Sequence, residues 1–370
     1  MSSIKTIINL VDQISLVNFG IWHAAIATAG SLNKQFGIES WLIAPYSEQD
    51  VDPVQFPDLK VRSIPGTHLK DARFLFSDFD KNSTLVVSHG SWQYPTRWGS
   101  FAKKSGFVWI YTPHGMLEPW SMNQKWLKKQ IYFQLIEKKL AANASLIRAV
   151  GRPEYDNLKT IFPKVVHIPN GIYDFDILPL NKPETPIRFL YLARLHHKKG
   201  IIPLLNAWLT SEPGKSNKHE LVIAGTDDGE QKKIEALIST FQPNNVRFVG
   251  PRFGKDKTDL ILQSHFYVLP SKSEGFPTSV VEAMGGGLIP IITEGCNFPE
   301  AFENNLAIKT SPIEMDILNA LNLAFSLSLA EIHARSINAQ TFVKAQYAWS
   351  EIASHQKTVF EKLLPNQYLK

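Results

Sequence analysis

Short apolar runs alternate with longer helix-patterned segments along most of the chain, and this alternation confines it to layered α/β architectures with parallel sheets. In the first half the runs fall at 4–10, 40–44, 85–88, 107–111, 146–150 and 165–168, rich in β-branched and aromatic residues. The turn Pro169-Asn170-Gly171 follows. Residues 172–186 then carry Pro179, Pro183 and Pro186 with little periodicity, which is the pattern of a linker. A second series begins after it, with runs at 187–193, 220–224, 246–249, 266–270 and 288–293, and helical stretches such as 201–209 and 230–241 between them. Two α/β halves are expected. From about residue 312 the pattern is amphipathic and helical, ending in 349–364.

Length and composition agree with that division. At about 100–200 residues per domain, 370 residues suggest two domains. A content of 44% hydrophobic and 20% charged residues excludes disorder, collagen and coiled coil. The formal charge of +5 is only mildly basic, and no nucleic-acid motif accompanies it, so nucleic acid is not an expected partner. Cys296 is the single cysteine, which rules out an internal disulfide and a Cys-rich zinc site. The first ten residues lack the long apolar core of a signal peptide, and no run approaches 18 apolar residues. The expectation is a cytoplasmic chain that does not span a membrane.

The segment most informative about chemistry is 267–284, where the apolar run Tyr267-Val268-Leu269 leads into Pro270-Ser271-Lys272-Ser273-Glu274-Gly275-Phe276-Pro277 and then a helical pattern. Pro277 suits a first helical position. A ligand at the carboxyl end of such a strand meets free backbone N–H groups and the positive end of the helix dipole, a good place for phosphate. Glu274 in the loop and Glu282 in the helix would accept hydrogen bonds from sugar or ribose hydroxyls; for an isolated Glu-x7-Glu, a helix cap plus a solvated glutamate is the competing reading. The loop Arg194-Leu195-His196-His197-Lys198-Lys199-Gly200 also follows a run in the same half. It supplies the cations a diphosphate requires, Arg as a fork and Lys as a point charge. Taken alone, it also reads as a solvated basic loop.

These segments together resemble the retaining family 4 glycosyltransferases, the glycosyl transferase group 1 sequences of GT-B architecture. The resemblance covers nearly the whole chain and rests on Arg194, Lys199-Gly200, Glu274-Gly275-Phe276-Pro277, Glu282-Ala283-Met284, Leu288-Ile289-Pro290, Ile168-Pro169-Asn170-Gly171 and Thr112-Pro113-His114-Gly115-Met116-Leu117. It implies two Rossmann-like parallel-sheet domains facing a central cleft: an acceptor-binding domain at 1–178, a nucleotide-sugar-binding domain at 179–345, and a terminal helix, 346–370, packing back toward the first. The resemblance further implies that Arg194 and Lys199 hold the donor diphosphate, that Glu282 holds the ribose, and that Glu274, with the Gly275 and Phe276 amides, faces the donor sugar. His114 would contact that sugar or its phosphate. In the first loop, Asn18-Phe19-Gly20, many members have two glycines, so Gly20 is the residue placed near the phosphates. The catalytic set is then His114, Arg194, Lys199 and Glu274.

The implied reaction moves a hexose-type sugar from a UDP- or GDP-sugar to a carbohydrate or lipid-linked acceptor, with retention and without metal, in bacterial polysaccharide or lipopolysaccharide assembly. No other cofactor is expected. Preorganised cations suit it, because negative charge develops on the departing diphosphate. Asp78-Phe79-Asp80 and Asp174-Phe175-Asp176 match the Asp-x-Asp of metal-dependent transferases, but one precedes a strand run and the other sits in the linker. His89 ends a run and is a second candidate for the acceptor pocket. Residues 121–148 hold six Lys or Arg and one Glu, a charge of 6 − 1 = +5. Either this is a helix with a wet basic edge, or it touches anionic lipid at the inner face of a membrane. Two rivals remain at the sequence level: a sugar-nucleotide-processing relative such as an epimerase, and a binding module without turnover.

Overall fold

The structure is a computed structural model that describes residues 3–15, 19–45, 58–173, 180 and 182–364. It divides into two compact units, 1–171 with 349–370, and 172–348. In the sequence the divisions fall at 178/179 and 345/346. Ile172 and Ala348, the first and last residues of the second unit, are bridged to one another, and the Ile172 N–H donates to Tyr347 O at 2.8 Å.

The first unit is built on β1 (Thr6–Leu10), β2 (Glu39–Ala44), β3 (Leu59–Ser63), β4 (Thr84–His89), β5 (Val108–Thr112), β6 (Leu146–Ala149) and β7 (Val165–His167). They form one parallel sheet in the order β3-β2-β1-β4-β5-β6-β7. This is the doubly wound order, in which β1 and β4 flank the point where the winding reverses. Trp98, Trp109 and Tyr111 are fully buried in its core, and the Trp109 indole donates to Ser88 Oγ at 2.8 Å. The helix Trp349–Glu361 belongs to this unit: Thr28 Oγ1 bonds Gln356 Oε1 at 3.0 Å, and Ser354 Oγ bonds Gln35 Oε1 at 3.1 Å.

The second unit repeats the plan with β8 (Ile187–Leu192), β9 (His219–Ala224), β10 (Val246–Gly250), β11 (Phe266–Leu269), β12 (Ile289–Thr293) and β13 (Ile308–Thr310). They too are parallel, in the order β10-β9-β8-β11-β12-β13, so the reversal lies between β8 and β11. Phe189 stacks on Phe266 with centroids 4.6 Å apart, and Trp208 meets Phe189 edge-on at 5.2 Å. Trp208 comes from the helix Ile201–Thr210, which buries Ile201, Leu204, Leu205 and Trp208 at helical spacing. Each such side chain contributes roughly 1.5–3 kcal/mol.

Two strands escape the sequence reading, β3 and β13, and both are edges. In Leu59-Lys60-Val61-Arg62-Ser63 the alternating cations interrupt the apolar run: Lys60 pairs with Glu39 at 2.5 Å and Arg62 with Asp78 at 2.8 Å. β13 has three residues, one of them the exposed Lys309.

Candidate active site

The chemistry-bearing residues of the second unit collect at the carboxyl ends of β8 and β11, where ligands bind in sheets of this winding. After β8 the chain passes through Arg194 and a single turn, His197–Lys199, before Gly200 opens the helix Ile201–Thr210. Gly200 has φ +74°, and a Cβ there would lie 2.3 Å from Pro270 O. Only glycine lets the two loops approach so closely without strain. Lys272 N–H also donates to Lys198 O at 2.8 Å, so the loop after β11 is tied to the loop after β8.

That tie brings Lys199 onto Glu274. The Lys199 ammonium lies 2.7 and 2.6 Å from the two carboxylate oxygens, and both side chains are largely buried, at 14% and 10% exposure. Removing one partner of such a pair strands the other charge at a cost of about 3–5 kcal/mol. The backbone of Glu274 is clamped as well: its N–H donates to Gly295 O at 2.7 Å, and its C=O accepts from Asn297 Nδ2 at 2.5 Å. Gly275 and Phe276 follow in the loop, and the helix Thr278–Gly285 starts just beyond, with Pro277 as its cap rather than its first residue. Tyr267 of β11 fixes that start, its hydroxyl donating to Leu192 O at 2.9 Å and lying 2.8 Å from Ser279 Oγ. Glu282, in the second turn, pairs with Lys257 at 3.1 Å. Arg194 stands apart from these pairs, 63% exposed and bonded to Asp228 at 2.5 Å.

In the first unit the equivalent position is the carboxyl end of β1 and β4. An open pocket of about 210 Å³ lies there, lined among others by Val11, Asp12, His89, Ser91, Trp92 and Met116. His89 is buried, with Nε2 3.1 Å from Asn9 Oδ1 and Nδ1 2.9 Å from His114 Nε2. Burial, then His114 and the Arg148 guanidinium, hold the His89 pKa well below its ordinary value; burial and Arg148 do the same to His114. His114 adopts φ +54° and Gly115 φ +73°. The turn is held from behind by Glu154, which accepts from Gly115 N–H at 2.5 Å and Val150 N–H at 2.8 Å, and whose carboxyl burial pushes up to about 7. Gly20 is an exposed residue in the first turn of the helix Phe19–Ile26, and a Cβ on it would meet nothing within 4 Å. Asn18 lies outside the described residues.

The other candidates divide. Asp78 is paired with Arg62, and Asp80 accepts from Ser83 Oγ at 2.7 Å and from Asn82, so these carboxylates brace the turn before β4. Asp174 and Asp176 lie outside the described residues. Arg148, counted in the basic stretch from its sequence position, is buried: its guanidinium donates to Ile168 O at 2.9 Å and Pro169 O at 2.8 Å, fixing the turn after β7. Glu137 is buried too, bonded to Thr96 and Tyr111 at 2.9 Å. The surface of that stretch is therefore lysine without carboxylate. Asn9, Glu154, Lys257 and Asn297 are absent from the sequence reading; only Asn9, a polar residue inside the run Thr6-Ile7-Ile8-Asn9-Leu10, carried a local signal.

Comparison with known proteins shows what this geometry is similar to. The profile of glycosyl transferases group 1 matches residues 174–339. The gpi3 component of the phosphatidylinositol N-acetylglucosaminyltransferase of Schizosaccharomyces pombe is 25% identical over 232 residues, 61% of this chain and 48% of the yeast one. The GDP-mannose:cellobiosyl-diphosphopolyprenol alpha-mannosyltransferase of Xanthomonas campestris is 31% identical over 178 residues, 45% of this chain and 44% of the relative. The chain thus spans about half the length of these curated relatives. Among solved structures, Anabaena HepE in complex with UDP-glucose has a TM-score of 0.75 at 16% identity, covering 96% of this chain and 99% of that one. The fold is therefore GT-B, and the stretch 174–339 within it matches the profile of the group 1 glycosyltransferases.

Proposed function

We propose that the protein transfers a sugar from a nucleotide diphosphate donor to a carbohydrate or lipid-linked acceptor, with retention and without metal. The observation that carries this reading is the buried Lys199–Glu274 pair at the carboxyl ends of β8 and β11, inside the group 1 domain. In this reading Lys199 and Arg194 stabilise the negative charge that grows on the departing diphosphate, which is the work preorganised cations do best. The Gly275 and Phe276 amides lie beside Glu274 toward the donor sugar, and the start of the helix Thr278–Gly285 just beyond favours the anionic end of the donor. Glu274 accepts from the sugar's hydroxyls and Glu282 from the ribose. The acceptor hydroxyl attacks from the leaving-group face and its proton passes to the departing phosphate, so no protein base is assigned.

The donor class is a UDP- or GDP-sugar, in keeping with the UDP-glucose of the Anabaena structure and the GDP-mannose of the Xanthomonas relative. Both curated relatives are named for lipid acceptors, a phosphatidylinositol and a diphosphopolyprenol. A lipid-linked acceptor of polysaccharide or lipopolysaccharide assembly, met at the cytoplasmic face of a membrane, extends that pattern. Exposed side chains support it. Leu127, Ile131 and Leu135, at 61%, 52% and 60% exposure, stand four residues apart on one helical face, with Trp126 also exposed and Lys125, Lys128 and Lys139 around them.

The test is product analysis with UDP-glucose and GDP-mannose, offered with diphosphopolyprenol-linked and phosphatidylinositol acceptors in EDTA. A new glycoside with the donor's anomeric configuration is expected. An inverted product would remove retention, an EDTA-sensitive one would remove metal independence, an epimerised nucleotide without acceptor would favour an epimerase, and binding without consumption a recognition module.

A further inference from the structure

Behind His114 stands a chain of hydrogen-bonding groups that the proposed transfer does not use. We propose that Asn9 and His89 act as a positioning relay that fixes His114 as a neutral ring protonated on Nε2, leaving Nδ1 an obligate acceptor for a substrate hydroxyl. This inference rests on the transferase reading, in which His114 contacts a substrate, and it narrows His114's role from sugar or phosphate to a hydroxyl.

The proton positions follow from the pattern of partners. Asn9 Nδ2 donates to Trp41 O at 3.2 Å, so the amide oxygen is the atom turned toward His89. Flipping the amide would set two carbonyl oxygens against each other. The His89 Nε2, 3.1 Å from that oxygen, must therefore carry a hydrogen. A second proton on His89 would be a buried cation near the Arg148 guanidinium, which is itself buried, so His89 stays neutral and its Nδ1 is a lone pair. His114 Nε2, 2.9 Å away, must then be the donor. Its Nδ1 is left unprotonated, and among the described residues no other protein group bonds the ring of His114, a half-buried residue. A neutral ring with this tautomer cannot donate to a phosphate oxygen from Nδ1; it can accept from an O–H. The ring's direction is fixed by the turn beneath it, since Glu154 holds Gly115 N–H and His114 sits at φ +54°, a strained conformation for a residue with a side chain.

The experiment has one arm that needs no substrate. Two-bond 15N–1H correlation of histidine-labelled wild-type protein at pH 7 should show both His89 and His114 as Nε2–H tautomers, and an Nδ1–H or doubly protonated His114 would overturn the proposal. On addition of UDP-glucose or GDP-mannose, whichever binds, the His114 Nδ1 resonance should move upfield, and it should not move with UDP or GDP alone. A shift of equal size with the bare nucleotide would assign Nδ1 to phosphate and overturn the proposal. In Asn9→Leu, His89 loses its acceptor; His114 should become a mixture of tautomers and kcat should fall about 10- to 100-fold, the range typical of groups that orient a functional ring from behind. Unchanged turnover would sink the relay. Correct tautomers in a protein that consumes no donor would leave the relay standing and refute the transferase reading instead.

Discussion

At the residue scale the site depends on one backbone contact. Gly200 allows the loop carrying Lys199 to lie against Pro270, and its φ of +74° is a conformation that an L side chain pays roughly 1–2 kcal/mol to adopt. Gly200→Ala adds a collision with Pro270 O at 2.3 Å, so it should lower stability by more than that amount and weaken nucleotide binding at least tenfold. Gly254→Ala is the control: φ is +50° there but a Cβ meets nothing within 4 Å, so only the backbone cost should appear. Denaturant unfolding and nucleotide titration of both variants check this, and equal behaviour of the two would mean that the loop contact is unimportant. How far the sequence exposes such a site is clear from the same residues. Arg194, Lys199 and Glu274 are visible because each lies in a loop leading from a strand run toward a helix, and Glu282 because it follows Glu274 within that helix. The partners Asn297, Lys257 and Glu154 are not, because each meets its target across space: Asn297 is 23 residues from Glu274, and Glu154 is 39 residues from Gly115.

At the scale of elements, the central strands are legible because long apolar runs survive wherever both sheet faces are covered, and β3 and β13 are not, because Lys60 and Arg62 break the apolar pattern of one and Lys309 that of the other. Helix surfaces are legible only in part. Composition marks 121–148 as basic but does not reveal that Arg148 and Glu137 point inward, nor that Leu127, Ile131 and Leu135 point out. An apolar stripe beside lysines predicts binding to vesicles containing anionic lipid, about 1 kcal/mol per lysine near the surface and weakened by salt. Leu127→Asp with Ile131→Asp should reduce co-sedimentation with phosphatidylglycerol vesicles more than tenfold while leaving nucleotide binding intact. Equal binding to neutral vesicles, or no effect of the pair, would assign the stripe to another partner.

On the scale of the whole molecule, two parallel sheets with the same winding each present a site at the reversal point, β1 against β4 and β8 against β11. The second holds the paired charges and the helix start that suit a diphosphate; the first holds the pocket and the histidine pair. The proposed transfer puts donor recognition in the second unit, with Lys199 as its central cation. Calorimetric titration of UDP and GDP into wild-type protein and Lys199→Ala, without added metal, tests that assignment most directly, with thermal melts confirming that the variant is folded. One nucleotide should bind the wild type, and the variant should bind it roughly 10- to 100-fold more weakly, as expected for loss of about 1.5–3 kcal/mol from a charged hydrogen bond. A folded Lys199→Ala protein that binds the nucleotide as tightly as its parent would contradict the account.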